Sequence, residues 1–269
     1  RRGFTAYLPG RTLPMLPRPL TQDRCSLREG EEKPAHSVYL TVDMRSGMVR
    51  NVRRLHTVVT VARRLSFHDV RRMLENRADG GAWDEEVVRT VLDLGRVARV
   101  MRKRRAQREA FLQLAAPEVR VVYQDDPPAV LGFERVEPNH SHELVEEFMR
   151  AANQAVAEEL VARDVPGLFR VHGEPREADI REFREWAREA VGLNPGAMAS
   201  REDLNRFLRG LRGRGALGDI VGNGFLRALP RASYAGTPGL HFGLGKDCYC
   251  HFTSPIRRFA DLTVHRQLW

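Results

Sequence analysis

The stretch HFTSPIRRFADLTVHR, residues 251–266, places a serine and a proline just before two adjacent arginines. Ser254 is a favourable N-cap and Pro255 a favourable first helical residue, so we predict that a helix begins here. Arg257 and Arg258 would then lie in its first turn, where cations oppose the helix dipole and free N–H groups attract anions. The pattern therefore predicts a site for a phosphate or a carboxylate.

The same segment permits a second interpretation. On a helix, Arg257 and Arg258 share a face with Asp261 and His265. A local ion pair between Asp261 and either arginine on a surface helix would account for the spacing, and such a pair contributes only about 0.2–0.5 kcal/mol. The segment alone leaves both interpretations open.

The composition is that of a basic protein with enough apolar residues for a core. Of 269 residues, 42% are hydrophobic, and 44 Lys and Arg against 35 Asp and Glu give a net charge of +9. A polyanion is therefore the expected partner, although solubility alone can produce a basic bias. The sequence has no apolar run of about 18 residues and no signal-peptide pattern, so no membrane partner is expected.

The cysteines indicate a reducing compartment. There are three, Cys25, Cys248 and Cys250, which is an odd number, and a single residue separates the last two. A disulfide framework is therefore not expected, and we predict a cytoplasmic location. The run from Cys248 to His251 offers a metal site too few ligands, so buried thiols are the favoured interpretation and no metal ligand is assigned.

Apolar periodicity predicts an α+β fold, a single domain with a mixed β-sheet and surrounding helices. The first 34 residues are predicted to be extended and irregular, because they are rich in proline. The predicted elements that follow are a hairpin at 38–52 that 58–61 could extend, a helix from Ser66 to Gly80–Gly81 with Asp69 in a capping box, a helix at 85–108, a hairpin at 119–133, a helix at 140–160, a strand at 168–171, a helix closed by Gly192 and a helix at 205–211.

The residues by themselves reveal no catalytic group. No Gly-x-Ser-x-Gly elbow and no carboxylate cluster is visible, and the glycine-rich residues 236–245 lack the spacing and lysine of a phosphate-binding loop. Asn153 and Glu146 are polar residues on a strongly amphipathic helix. They could orient partners at a site, but surface positions would explain them nearly as well.

Four stretches together resemble a known family. They are GLHFGLGKDCYCHFTSPIRRFADLTVHRQL at 239–268, FTAYLPGRTLPMLPRPLTQDRCSL at 4–27, LVEEFMRAANQAVAEEL at 144–160 and FRVHGEP at 169–175. The whole chain resembles the RNB catalytic domain of the RNase II and RNase R family. This resemblance implies an RNB-type mixed sheet and a processive, Mg²⁺-dependent exoribonuclease that releases nucleoside 5′-monophosphates from the 3′ end of single-stranded RNA.

The resemblance also implies roles for individual residues. Arg257 corresponds to the catalytic arginine that contacts the reacting phosphate, and Tyr7 to a tyrosine that clamps the last nucleotides. Arg258, Ser254 and His251 are expected to bind RNA. An arginine can stabilise charge that develops on a phosphate oxygen, and a tyrosine can stack on any base.

Several parts of the family pattern are not found. The resemblance places the metal-binding aspartates upstream of residue 1 and a further glutamate beyond Trp269, so Mg²⁺ is implied without ligands in this chain. Residues 1–269 are thus expected to be the C-terminal portion of the domain, truncated at both ends, without its N-terminal metal-binding segment. Either Phe111 or Gln113 would be the base-stacking residue, and Arg24 stands at a position that is usually apolar.

Three functional hypotheses follow. In the first, the parent protein is an active exoribonuclease with flanking OB-fold (cold-shock and S1) domains, and the 269-residue chain alone is inactive. In the second, the protein is a catalytically inactive RNB-like protein that binds RNA without cutting it. The third is a structural module that uses its basic face for protein contacts.

Overall fold

The computed structural model describes residues 2–75, 83–108, 111–112, 118–124, 126–127, 129–136 and 139–269. Its strands form four two-stranded antiparallel sheets. These pair β1 (Ala6–Leu8) with β2 (Arg11–Leu13), β3 (Glu32–Val42) with β4 (Val49–Thr60), β5 (Glu118–Gln124) with β6 (Ala129–Val136), and β7 (Phe169–Val171) with β8 (Ser233–Ala235).

The α+β class is confirmed, but the mixed sheet was a wrong prediction for the described part of the chain. Parallel pairing is limited there to isolated bridges, Glu29 with Val61 and His172 with His241. Three of the four sheets are hairpins between consecutive strands, and short connections permit only antiparallel pairing. Hairpin signals are visible in sequence, whereas the arrangement of hairpins relative to one another is not.

The N-terminal segment is more ordered than its prolines suggested. It contains the β1–β2 hairpin and a short π-helix, Leu20–Arg24, and β3 already begins at Glu32. The hairpin predicted at 38–52 is confirmed and is longer than expected, because β4 continues to Thr60 as residues 58–61 allowed. Local turn signals located these strands but did not define their lengths.

Seven α-helices occur in the described chain. They are α1 (Phe67–Leu74), α2 (Glu85–Arg108), α3 (His140–Ala162), α4 (Glu177–Glu189), α5 (Arg201–Leu211), α6 (Gly215–Ala228) and α7 (Phe259–Gln267). The Ser66–Asp69 capping box is present on α1, and Gly192 closes the turn after α4 with a φ of +67°. The predicted end of α1 at Gly80–Gly81 lies outside the described residues.

Two apolar clusters build the core. The first joins α4, α5 and α6 around Phe183, Phe207 and Phe225, whose rings meet edge to face or nearly so. The second contains Val156, Ala157 and Leu160 of α3, Phe169 of β7, Cys250 and Phe252 of the loop that precedes α7, and Val264 and Leu268 at the end of the chain. The second cluster therefore anchors the segment that carries the two arginines.

Candidate nucleic-acid interface

The arginine segment forms a loop in front of α7. That helix begins at Phe259, and Arg258 is its N-cap with extended backbone angles (φ −134°, ψ 125°). The amide groups of Arg257 and Arg258 donate to the Ser254 carbonyl at 3.2 and 3.1 Å, which closes a single turn. The predicted helix start at Ser254 and Pro255 was therefore wrong by about one turn.

Pairing with the N-terminal segment explains the late helix start. Thr5 N–H donates to the Arg257 carbonyl and Phe259 N–H to the Gly3 carbonyl, each at 2.9 Å. Phe4 and Arg258 thereby form an antiparallel bridge. Because this bridge holds Arg258 extended, the helix cannot propagate back through it, and no sequence-local signal reveals a partner about 250 positions away.

Asp261 organises the loop from inside the protein. Its side chain is fully buried, with 0% exposure. It accepts two hydrogen bonds from Arg258, through Nε and Nη2, and one from Ser254 N–H, all at 2.7 Å. The predicted local pair is thus present, but it is a buried bidentate contact and not a surface pair. Ser254 takes part through its amide, and its expected role as N-cap was wrong.

The two adjacent arginines have different environments. The Arg258 guanidinium forms an ion pair with the buried Asp261 carboxylate. Arg257 is exposed, and within the described residues its side chain has no hydrogen bond or ion pair. A guanidinium with five free donors suits bidentate contact with a phosphate. The fold therefore fixes the backbone of Arg257 while leaving its charge available.

His251 lies in a hydrogen-bonded aromatic group next to these arginines. The Tyr234 hydroxyl and His251 Nδ1 are 2.6 Å apart, and the Arg170 guanidinium lies 4.9 Å from the centre of the Tyr234 ring. Burial, followed by the charge of Arg258, lowers the pKa of His251 to about 4, and Arg170 and Arg257 act in the same direction. The imidazole is consequently neutral at pH 7, when Nδ1 can accept the tyrosine proton.

Sequence reasoning missed Tyr234 and Arg170 as members of this group. They lie on β8 and β7, which pair with Arg170 directly opposite Tyr234. Arg170 belongs to the FRVHGEP stretch, but its position opposite Tyr234 depends on a strand pair that spans more than 60 residues. A lone tyrosine on a three-residue strand gave no signal of its own.

Asn153 is a positioning residue, whereas Glu146 is not. Asn153 is 3% exposed; its Nδ2 donates to the Tyr249 hydroxyl at 2.8 Å, and its Oδ1 accepts from the amides of Phe252 and Thr253 at 2.9 and 3.2 Å. Glu146 is about half exposed and pairs with Arg150 one turn along α3. Of the two open interpretations, orientation of a site applies to Asn153 and a surface position to Glu146.

Tyr7 lies on β1, opposite Thr12, with 65% of its surface exposed. Only two residues separate it from Phe4, whose bridge to Arg258 joins the N-terminal hairpin to the arginine loop. Phe111 lies against Arg105, whose guanidinium carbon is 3.7 Å from the centre of the ring. Gln113, the alternative to Phe111, falls outside the described residues.

The described residues do not fit a Mg²⁺ site. They contain no group of three or more His, Cys, Asp or Glu side chains placed to hold a metal ion. Asp261 is occupied by Arg258 and Ser254, and Cys250 Sγ donates to the Asn153 carbonyl at 3.4 Å while burial raises the pKa of its thiol. Neither side chain is therefore free to act as a metal ligand in this arrangement.

The three cysteines are free thiols, of which Cys250 is fully buried. None of the helices in the described chain is both long enough and apolar enough to cross a bilayer.

The chain is similar in sequence to curated ribonucleases. It is 30% identical over 272 residues to Ribonuclease R of Chlamydia muridarum, a match that covers 100% of this chain and 38% of that protein. This chain thus spans about two-fifths of the length of that relative.

Solved structures share the fold. RNase R of Mycoplasma genitalium, in complex with ribose-methylated single-stranded RNA, matches with a TM-score of 0.89 and 25% identity over 99% of this chain and 41% of its own. Yeast Ssd1, described as a pseudonuclease, matches with a TM-score of 0.73 at 21% identity over 99% of this chain and 32% of its own, which shows the fold alone. The RNB domain profile matches residues 1–269. The chain therefore belongs to the RNB domain family.

Proposed function

We propose that this chain binds single-stranded RNA and that the longer protein to which it belongs hydrolyses RNA from the 3′ end to nucleoside 5′-monophosphates. One observation carries the proposal. Arg257 is exposed and unpaired within the described chain, on a loop that Asp261, Asn153 and the Phe4 bridge hold in place. Such a preorganised cation can stabilise charge on a phosphate oxygen without reorganisation during the reaction.

The other site residues are assigned in the same proposal. Tyr7 stacks on a terminal base, because its ring is exposed and its strand continues from the segment docked on the arginine loop. His251, Ser254 and Arg258 surround the bound phosphate, with Arg258 acting through Asp261. Mg²⁺ is the cofactor, with ligands that these residues do not supply. Flanking OB-fold domains guide the RNA, and the protein works in the cytoplasm.

The experiment compares RNA binding with RNA hydrolysis. The full-length protein should bind a fluorescent oligoadenylate in EDTA and shorten it from the 3′ end when Mg²⁺ is added. Arg257→Gln should reduce turnover roughly 10²-fold, as expected when a donor to developing charge is lost. Arg188→Gln, an exposed arginine on α4, is the matched control and should change neither step.

A second candidate is an RNB protein that binds RNA without cutting it. One observation favours this candidate. The described residues provide an exposed arginine for a phosphate, but they do not bring three metal-ligand side chains together. Full-length protein that binds the oligoadenylate in EDTA yet leaves it intact in Mg²⁺ would establish this candidate and reject the nuclease. The 269-residue chain alone should bind RNA without hydrolysing it.

A further inference from the structure

Tyr234 and His251 come from two segments that lie on opposite edges of β7. On one edge β7 pairs with β8, which places Arg170 opposite Tyr234. On the other edge the Arg170 amide donates to the Tyr249 carbonyl at 2.7 Å. The backbone of β7 therefore holds the two segments at a fixed separation, and the Tyr234 hydroxyl meets His251 Nδ1 at 2.6 Å.

The tyrosine is the donor in this contact. A separation of 2.6 Å suits an O–H donor and is shorter than the range of about 2.7–3.2 Å that N–H donors usually show. Burial raises the pKa of Tyr234 above its ordinary value and lowers the pKa of His251 to about 4. At neutral pH the phenol therefore keeps its proton, the imidazole is uncharged, and Nδ1 is the acceptor.

This contact determines where His251 carries its own proton. A neutral imidazole has one protonated ring nitrogen, so a histidine that accepts at Nδ1 must be protonated at Nε2. Within the described chain His251 Nε2 has no hydrogen-bond partner. The ring lies close enough to Arg257 and Arg258 for both charges to act on it. Its Nε2–H group is therefore an unpaired, uncharged donor near the exposed Arg257.

We propose that Tyr234 is a positioning residue, which fixes the tautomer of His251 so that Nε2–H donates to a phosphate oxygen of RNA bound at Arg257. The inference rests on the RNA binding proposed above and adds a residue that lies outside the arginine loop. Because Nδ1 already accepts a proton and Nε2 already carries one, neither nitrogen is free to take a proton from water as a general base would. His251 thus orients the phosphate and does not activate the nucleophile.

The test measures the affinity of the full-length protein for an oligoadenylate in EDTA at neutral pH. Tyr234→Phe keeps the ring beside Arg170 and removes only the hydroxyl, so it should weaken binding about threefold, within the range for one neutral hydrogen bond. In His251→Gln the amide can still donate from the position of Nε2, but no atom replaces Nδ1. Adding Tyr234→Phe to that variant should cause no further loss. Tyr39→Phe is the matched control, because Tyr39 is 50% exposed and also lies beside an arginine, Arg53, and it should leave the affinity unchanged.

Nitrogen spectra of the full-length protein with isotope-labelled histidine test the tautomer without RNA. The His251 signals are those that His251→Gln lacks. In the unmodified protein Nδ1 should be unprotonated and Nε2 protonated, whereas in Tyr234→Phe the proton should distribute over both nitrogens. Because this measurement needs neither RNA binding nor hydrolysis, failure of the proposed function is distinguished from failure of the tautomer assignment.

Three results would each overturn the proposal. The first is a protonated Nδ1 in the unmodified protein, and the second is an RNA affinity that Tyr234→Phe does not change. The third is an equal loss from Tyr234→Phe in the presence and absence of His251→Gln, since the tyrosine would then not act through the histidine.

Discussion

Asp261 is the residue on which the geometry of the arginine loop depends most directly. Its two carboxylate oxygens neutralise Arg258 and also receive the amide of Ser254, seven positions earlier. A fully buried carboxylate is tolerated only when its charge is paired and its oxygens are hydrogen-bonded, and both conditions are met here. The adjacent Arg257 is not bound by Asp261, so its guanidinium can bind a ligand.

Replacement of Asp261 by asparagine should therefore destabilise the protein strongly. Asp261→Asn removes the negative charge and one acceptor, which leaves Arg258 partly buried without its ion-pair partner. We expect a loss of roughly 2–4 kcal/mol in the free energy of unfolding, measured by urea denaturation. Asp93→Asn is the matched control, because Asp93 forms an exposed pair with Arg96 at the same i,i+3 spacing and should cost less than about 1 kcal/mol. Equal losses in the two variants would contradict this assignment.

At the level of residues, the sequence correctly indicated which side chains belong to the site, but it did not indicate the role of each one. The spacing identified Arg257, Arg258 and Asp261 as one group: both arginines lie in the loop before α7, and Asp261, in the first turn of α7, binds Arg258. The division between a structural Arg258 and a free Arg257 could not be predicted, because it follows from the bridge to Phe4 and from the burial of Asp261. Both effects depend on contacts between distant parts of the chain, which helix-spacing rules for i,i+3 and i,i+4 pairs cannot predict.

One side chain of α3, Asn153, holds the 249–253 segment in position by hydrogen bonds. Asn153 satisfies two amides and one hydroxyl of the 249–253 segment, so Asn153→Ala leaves three polar groups without partners. We expect faster hydrogen exchange at residues 249–254 and weaker RNA binding, at a stability cost of roughly 2–4 kcal/mol. Glu146→Gln, on an exposed face of the same helix, should change each of these by little. Unchanged exchange and RNA affinity in Asn153→Ala would show that Asn153 does not position the loop.

A chain of neutral imidazoles connects β3 and β4 to α7. His36 Nε2 lies 2.6 Å from Arg54 Nη1, His36 Nδ1 lies 3.3 Å from His265 Nδ1, and His265 Nε2 lies 2.8 Å from the Phe252 carbonyl. Donors and acceptors alternate along this chain only if Arg54 donates to His36, His36 to His265, and His265 to Phe252. Each ring must then be neutral, because a protonated histidine has no acceptor nitrogen.

Acid should therefore destabilise this contact. Burial, followed by the repulsion that a protonated His36 would meet from a protonated His265, lowers the pKa of His36 to about 4, with Arg54 and His56 acting in the same direction and Glu159 opposing them. Since a histidine in the unfolded state has a pKa of about 6.5, the unfolded state takes up the proton first as the pH falls. The stabilisation is present above about pH 6.5 and is lost progressively toward pH 4. Urea midpoints measured between about pH 7.5 and 4.5 should decline accordingly.

Paired histidine variants isolate this contribution. His36→Gln should lower stability at about pH 7.5 but flatten the decline below about pH 6.5. His68→Gln, at an exposed position on α1, should reproduce the slope of the unmodified protein. A decline that is equally steep in His36→Gln would assign the acid sensitivity to other groups.

At the level of elements, helices with strong caps were predictable and a glycine-rich helix was not. The α1 capping box and the bounds of α2 follow from the sequence. The α6 helix was missed because it contains several glycines, which disfavour helix. Packing explains them: a Cβ at Gly218 would lie 2.4 Å from the Leu211 carbonyl oxygen, and one at Gly224 2.6 Å from the Trp186 ring. Close contact with α4 and α5 thus outweighs local propensity.

The whole molecule carries a net charge of +9, and this excess sets how RNA affinity should depend on salt. Each phosphate that a cation neutralises on single-stranded RNA contributes about −0.7 to the slope of log K against log salt. Many arginines that could contribute are already paired with carboxylates, including Arg54, Arg105 and Arg258. The net charge therefore overestimates the number of phosphate contacts. The salt dependence of RNA binding should instead be determined mainly by individual unpaired arginines.

Salt titration of RNA binding tests that conclusion at Arg257. Measured by fluorescence anisotropy in EDTA with an oligoadenylate, Arg257→Gln should weaken binding and make the log K against log salt slope shallower by about 0.7, the value for one lost phosphate contact. Arg188→Gln removes the same charge from α4 and should leave the slope unchanged. Equal effects from both variants would mean that RNA responds only to net charge, whereas an unchanged slope in Arg257→Gln would remove this arginine from the phosphate contacts. The expected difference between two variants of identical net charge attributes RNA binding to the loop that Asp261 and Asn153 hold in place.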